Sequence, residues 1–272
     1  MHRSFLAALC STVLLAMVAC EGDNRAVNSP LASLTSVDWP NEPAGFTVLT
    51  DEPFDALDEN GWGGVQRTTT NGSGLSVVTD ALAPHSRDNV LQFRYAEGFP
   101  GGETPGVEYY DPASPVQETY FGFWWKPSNP WENHEGSGVN KLAMLFPQTQ
   151  DVGVVYLMMF NDGSGYTIQV EPTFPLDTRR LPPNQTATSV DLGTWHQIEW
   201  YVKYSTTGNS DGVTKWWLDG VLQGVYTDLH MPDGDPGFIE YQLGLTWGGV
   251  GGTKADTADF QWYDHAHISE AP

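Results

Sequence analysis

The chain has 272 residues, with 29 Gly, 19 Pro and 12% aromatic residues, which is long enough for one sizeable core and rich in turn formers. Its 12 basic and 34 acidic residues leave a formal net charge of −22, which argues against nucleic acid and against charge-driven docking on anionic lipid. Cysteine occurs only at Cys10 and Cys20, so a mature chain that has lost Cys10 has neither a disulfide nor a cysteine metal site.

Residues 1–20 read as a signal peptide: His2 and Arg3 open it, an apolar run covers 5–18, and small residues precede Cys20. The run is short for a membrane span. Met17-Val18-Ala19-Cys20 resembles a bacterial lipobox, which implies export and lipidation of Cys20, leaving the protein membrane-anchored through that lipid in the periplasm or at the cell surface. Residues 21–44 lack periodicity and read as a flexible tether, with Trp39-Pro40 docking on the edge of the domain that follows. Residues 45–272 form that single domain.

Short alternating segments separated by Gly, Pro, Asn and Asp turns run through the domain, and no helical period interrupts them. Strands are expected at 46–54, 61–66, 75–79 and 89–95, the last with Gln92 and Arg94 facing opposite to Phe93 and Tyr95. VEYYDP and ETYFGFWWKP follow; the second is aromatic on both faces and belongs mid-sheet. VNKLAMLFP and GVVYLMMF are apolar, central strands, then NDGSG turns into YTIQVEP. Residues 173–191 are a proline-rich excursion holding Arg179-Arg180, the only paired arginines. WHQIEWYVKY alternates His196, Ile198, Trp200, Val202 and Tyr204 against Gln197, Glu199, Tyr201 and Lys203; a turn leads to VTKWWL, and Asp219-Gly220 closes a hairpin onto VLQGVYTDL. FIEYQLGLTW and DFQWYDHAHI end the chain, the last returning beside the first strand, with Asp264 expected on the face of Phe260, Trp262, Ala266 and Ile268 as a structural hydrogen-bond anchor.

Trp195-His196 opening a strand and Trp217-Leu218-Asp219-Gly220 ending one resemble the concanavalin A-like jelly-roll superfamily. SGVNKLAMLF (137–146) and TWGGVGGTKADTADFQWYDHAHIS (246–269) resemble segments of bacterial polysaccharide lyase-like proteins. The likeness spans Phe46 to Ser269. It implies an all-β antiparallel sandwich and a polysaccharide ligand.

The chemistry is narrower than the fold. Retaining glucanases of this fold use an E-x-D-x-E run, which is missing, so hydrolysis by that route is not expected. No G-x-S-x-G elbow and no βαβ unit occurs. β-Elimination on a uronic-acid polymer needs a group that neutralises the carboxylate, a base for the C5 proton and an acid for the leaving oxygen. His134, Tyr201, Arg94 and Lys141 are the catalytic candidates, although the R-S/T-E-x-R run and Gln-Ile-His triplet of alginate lyases are both missing. Gln92, Asn140, Glu199, Lys203, Trp217, Gln242, Tyr263 and His265 are the ligand-binding candidates, with Trp217, Tyr201, Tyr263, Gln242 and Glu199 expected on one concave face. The 11 Trp exceed what a core of this size needs, so some are expected in that groove. NDGSG (161–165), NSDG (209–212) and PDGDP (232–236) are oxygen-rich turns that could hold Ca²⁺, without the EF-hand pattern. Three readings stay open: glycan recognition without catalysis, a polysaccharide lyase, and a structural envelope protein.

Overall fold

The computed structural model describes residues 39–66, 74–149, 152–244, 246–255 and 257–272. The expected signal peptide, Cys20 and the expected tether as far as Asp38 lie outside the described residues. The strands are β1 (Thr47–Glu52), β2 (Trp62–Gln66), β3 (Gly74–Val78), β4 (Val90–Tyr95), β5 (Gly106–Tyr110), β6 (Glu118–Pro127) and β7 (Val139–Pro147). They continue as β8 (Val155–Asn161), β9 (Tyr166–Pro172), β10 (His196–Lys203), β11 (Gly212–Leu218), β12 (Val221–Leu229), β13 (Phe238–Leu243) and β14 (Asp259–Glu270).

Among the described residues these strands form two antiparallel sheets of an all-β jelly-roll sandwich. The larger sheet runs β12-β11-β10-β6-β14-β4-β3, and the smaller runs β2-β5-β13-β7-β8-β9. β14 is long enough to serve two neighbours on one edge: its first half pairs with β4 and its second half with β1. The C-terminus thus returns to the first strand, and β6, β7 and β8 are interior strands, as their apolar sequences require.

The period of two decides what is buried. Ile198, Trp200 and Val202 of β10, Phe121, Phe123 and Trp125 of β6, and Leu145, Leu157 and Val170 of the smaller sheet all meet in one core. At the β11–β12 hairpin, Asp219 and Gly220 both adopt positive φ (52° and 74°), the geometry that matches a tight turn to the twist of its strands. A bulge in β14 corrects one expectation. His265 sits at φ 65° and the register slips between Asp264 and Ala266, so Ala266 and Ile268 enter the core while Asp264 stays on the outer side. There it accepts hydrogen bonds from the backbone N–H groups of His85 (2.7 Å) and Ser86 (3.0 Å), the anchoring role expected of it.

The middle of the larger sheet's outer side is covered. Trp39 lies over Gly122, where a Cβ would stand 2.6 Å from the indole, and stacks on His267 at 5.6 Å. Asn41 donates from its backbone N–H and from Nδ2 to Glu199 (2.9 and 2.8 Å), and Glu42 pairs with His267 at 3.0 Å. The segment from Trp39 therefore docks on the sheet's face, not on its edge. A second cover comes from the loop before β4, where Asp80 pairs with Lys126.

Seven of the 11 Trp (Trp39, Trp62, Trp125, Trp131, Trp200, Trp216 and Trp247) are buried. The other four, Trp124, Trp195, Trp217 and Trp262, lie on or beside strands of the larger sheet. The expected tryptophan-lined groove is thus corrected: the outer side of the smaller sheet carries tyrosines instead.

Candidate functional site

Residues directly opposite across a strand pair share a face. On the smaller sheet the registers align Gly63, Tyr109, Gln242, Met144, Tyr156 and Glu171 in one continuous row across all of its strands. A parallel row holds Lys141, Met158 and Gln169. Both rows face away from the core, where Tyr156 and Met158 form a small apolar cluster of their own with Val139.

The β8–β9 register sets Tyr156 opposite Glu171, and the Tyr156 hydroxyl donates to Glu171 Oε1 at 2.6 Å. The excursion after β9 folds back through a bridge between Leu181 and Val170, which sets Arg180 beside the same carboxylate: Nε donates to Oε2 at 2.9 Å. The Arg180 guanidinium also lies 4.3 Å above the Phe160 ring. Lys141 owes its position to a bulge in β7, where the register slips between Lys141 and Ala143; Leu142 and Ala143 both turn into the core and Lys141 stays outside. Its Nζ lies 5.0 Å from the centre of the Tyr156 ring.

Burial lowers the pKa of Lys141 below the ordinary lysine value, and nearby Glu171 offsets this only in part. Burial, joined by the Glu171 carboxylate, pushes the Tyr156 phenol well above its ordinary value, so it is protonated at neutral pH. The other end of the row is neutral in character. Tyr109 lays the outer end of its ring over Gly63, where a Cβ would stand 3.1 Å from the ring's Cζ, and Gln242 Nε2 donates to Glu240. Burial raises the pKa of Glu240, with Asp111 adding to the effect.

The expected concave set does not share one face. Lys141 and Gln242 lie on the outer side of the smaller sheet; Asn140 begins the same strand but is fully buried, with Nδ2 donating to Asn133 at 3.4 Å and Oδ1 unpartnered. Gln92, Arg94, Tyr201, Lys203, Trp217 and His265 belong to the larger sheet, on the far side of the core. There Tyr201 donates to Glu118 (2.6 Å), Lys203 pairs with the same residue (2.9 Å), Gln92 accepts from Trp262 Nε1 (3.0 Å) and His265 pairs with Asp51 (2.6 Å). Glu199 is corrected from ligand to latch: it is fully buried, held by Asn41 and by the Tyr120 hydroxyl at 2.6 Å. Tyr263 is corrected outright, because it points into the core and donates to the Leu142 carbonyl at 3.0 Å.

His134 is 5% exposed and shares an open cavity of about 590 Å³ with Glu132, Trp247 and Thr253. Both its ring nitrogens are engaged, Nε2 with the Gly251 carbonyl (2.7 Å) and Nδ1 with Ser137 (3.2 Å), so it reads as a brace for the glycine-rich loop. In the three oxygen-rich turns, Asp162, Asp211 and Asp233 accept bonds from nearby backbone N–H groups. Among the described residues no three His, Cys, Asp or Glu side chains converge as a metal site.

Tyr109, Tyr156, Glu171 and Arg180 were missed as site residues. The Arg179-Arg180 pair was the one visible signal; Tyr156 is hidden inside an apolar strand.

Neither a family model nor a curated protein matches the chain by sequence. Solved structures do match in fold. An endo-β-1,4-glucuronan lyase from the fungus Trichoderma reesei is 16% identical, with 82% of this chain and 94% of that one covered at a TM-score of 0.56. A PL-14 alginate lyase from Aplysia kurodai is 15% identical (72% and 87% covered, TM-score 0.56), and an alginate lyase from Chlorella virus is 11% identical (78% and 93%, TM-score 0.54). The chain therefore shares the jelly-roll sandwich fold of these structures.

Proposed function

We propose that the protein binds a uronate-containing polysaccharide along the outer face of the smaller sheet and cleaves it by β-elimination. The observation that carries this reading is Lys141 Nζ poised 5.0 Å over the ring of Tyr156, whose row ends in Glu171 with Arg180 docked on it. It pairs a cationic or basic group with a phenol at one point of one face, the minimum that elimination requires. Structural neighbours that are polysaccharide lyases support it.

The chemistry follows from the two environments. Lys141, with its lowered pKa, takes the C5 proton in its neutral form. The released electron pair forms the C4–C5 double bond as the C4–O4 bond breaks. Tyr156, protonated at neutral pH, supplies the proton that O4 needs. Arg180, released from Glu171, neutralises the substrate carboxylate, which acidifies C5. Export and a lipid anchor at Cys20 would place this work outside the cytoplasm.

A second reading, recognition without cleavage, has one observation in its favour: the Tyr156 proton is already given to Glu171 at 2.6 Å. Ultraviolet absorbance of the unsaturated uronate product separates the two. A rise with a uronate polymer, reduced about 100-fold or more in Tyr156→Phe, supports the lyase, since a positioned acid or base contributes at least that much. A flat trace across uronate polymers that nevertheless bind leaves recognition as the function.

A further inference from the structure

The row on the smaller sheet is divided by charge. Five gaps of about 4.8 Å between strands give it a length of about 24 Å, room for several sugar rings. Among the described residues, the cationic side chains placed on this face are Lys141 and Arg180, both at the β7–β9 end. Glu171 already sits between Tyr156 and Arg180, and Lys141 must give up its proton to act as base, so the end that handles a carboxylate has charge for one carboxylate at most. The β2–β13 end offers the Tyr109 ring over Gly63, the Gln242 amide and the acid Glu240. Nothing there among the described residues neutralises an anion, and the protein as a whole carries −22.

A homopolyuronate has a carboxylate on every ring. Bound across this row, it would satisfy one carboxylate at Lys141 and Arg180 and set the next ones beside Glu240, in the field of an acidic protein. Unpaired like charges at such separations are repelled even through solvent. A neutral ring has the opposite preference. It can stack on Tyr109, whose ring lies low because Gly63 has no side chain, and its hydroxyls can pair with Gln242 and Glu240.

We infer that the substrate is a heteropolysaccharide in which a uronate alternates with neutral sugars, with the uronate at Lys141, Tyr156 and Arg180 and the neutral residues at Gln242 and Tyr109. This rests on the proposed elimination at the same site and adds the charge density of the polymer. It sets the protein apart from an enzyme for a fully charged chain.

The test uses the mature full-length protein and two sets of polymers. One set is homopolyuronates (alginate and glucuronan); the other is a polymer with one 4-linked uronate per several neutral sugars in its backbone (deacylated gellan). Product absorbance gives turnover, and titration calorimetry gives affinity whether or not cleavage occurs. The expected result is a preference of about tenfold or more for a heteropolymer, the cost of one or two unpaired carboxylates. Gln242→Lys, which adds a cation to the neutral end, is expected to shift that ratio towards the homopolyuronates. Equal or better use of a homopolyuronate by the unmodified protein overturns the inference while leaving elimination standing. If no uronate polymer of either set is bound or cleaved, the proposed function falls and the inference with it.

Discussion

Glu108 is the residue whose replacement should stabilise the protein. It is 1% exposed, its Oε2 has no hydrogen-bond partner, and its other contact is the backbone N–H of Asp58. Burial, reinforced by the charges of Asp58 and Glu52, raises its pKa from 4.5 to about 7. The folded state therefore holds a proton that the unfolded chain releases, and stability falls as pH rises from about 4.5 to about 7. A shift of this size corresponds to about 3 kcal/mol at most, at 1.36 kcal/mol per pH unit, and to less where water reaches the carboxyl. Glu108→Gln keeps an acceptor for the Asp58 N–H and places an amide N–H₂ where the unpartnered oxygen was, facing the Asp58 carboxylate across Gly64. The variant should gain about 1–3 kcal/mol at pH 8 and little at pH 5, read from urea unfolding at both values. A variant less stable than the parent at pH 8, or one with an unchanged pH slope, would refute the reasoning.

Other expectations follow from the covers and the buried charges. Lys254→Met strands Glu132 and Asp259, which its fully buried ammonium pairs at 2.8 and 3.0 Å; a loss of about 3–5 kcal/mol in chemical denaturation is expected, and a loss under about 1 kcal/mol would mean the ions are not desolvated. Gly122→Ala drives a methyl into Trp39, so the N-terminal cover should lift at a cost of about 1–3 kcal/mol; protease digestion should then cut near Trp39 before the sandwich unfolds. Burial lowers the pKa of His267, but its bonds to Asp51 and Glu42 outweigh that and the net shift is upward. Its contribution is therefore complete below the unfolded histidine value of about 6.5 and is lost as pH rises through the higher folded value, so the same proteolysis should quicken on the alkaline side. An unchanged cleavage rate across that range would remove His267 from the latch.

Much of the architecture was legible along the chain. Alternation at 196–204 put Ile198, Trp200 and Val202 on one face, and that face lies in the core; 118–127, aromatic on both faces, is an interior strand as expected. Asp219-Gly220 marked a hairpin because few other dipeptides tolerate two successive positive φ values. Alternation broke down where a bulge intervened. At His265 the extra residue moved Ala266 and Ile268 to the opposite face from the one predicted; Tyr263, ahead of the bulge, alternates regularly with Trp262 and Asp264, but its face is the core and not the ligand side.

The site was far less legible. Lys141 and Gln242 were named from the sequence, and the structure sets both on the outer side of the smaller sheet. Tyr201, Trp217 and Glu199 have equally suitable chemistry but belong to the other sheet. Nothing local distinguishes Tyr156 in VYLMMF from a packing residue; its partner Glu171 is 15 positions away and Lys141 belongs to another strand.

The sequence by itself determined the all-β class, the positions of most strands, the acidic balance and the absence of glucanase and serine-hydrolase motifs, because these depend on local periodicity and on residue type. The tertiary structure decided that the outer side of the larger sheet carries the N-terminal cover, since that depends on Trp39 and Asn41 finding Gly122 and Glu199 far along the chain. It also decided that Lys141, Tyr156, Glu171 and Arg180 meet, because strand register and a bulge, both set by packing across the sheet, bring them to one place.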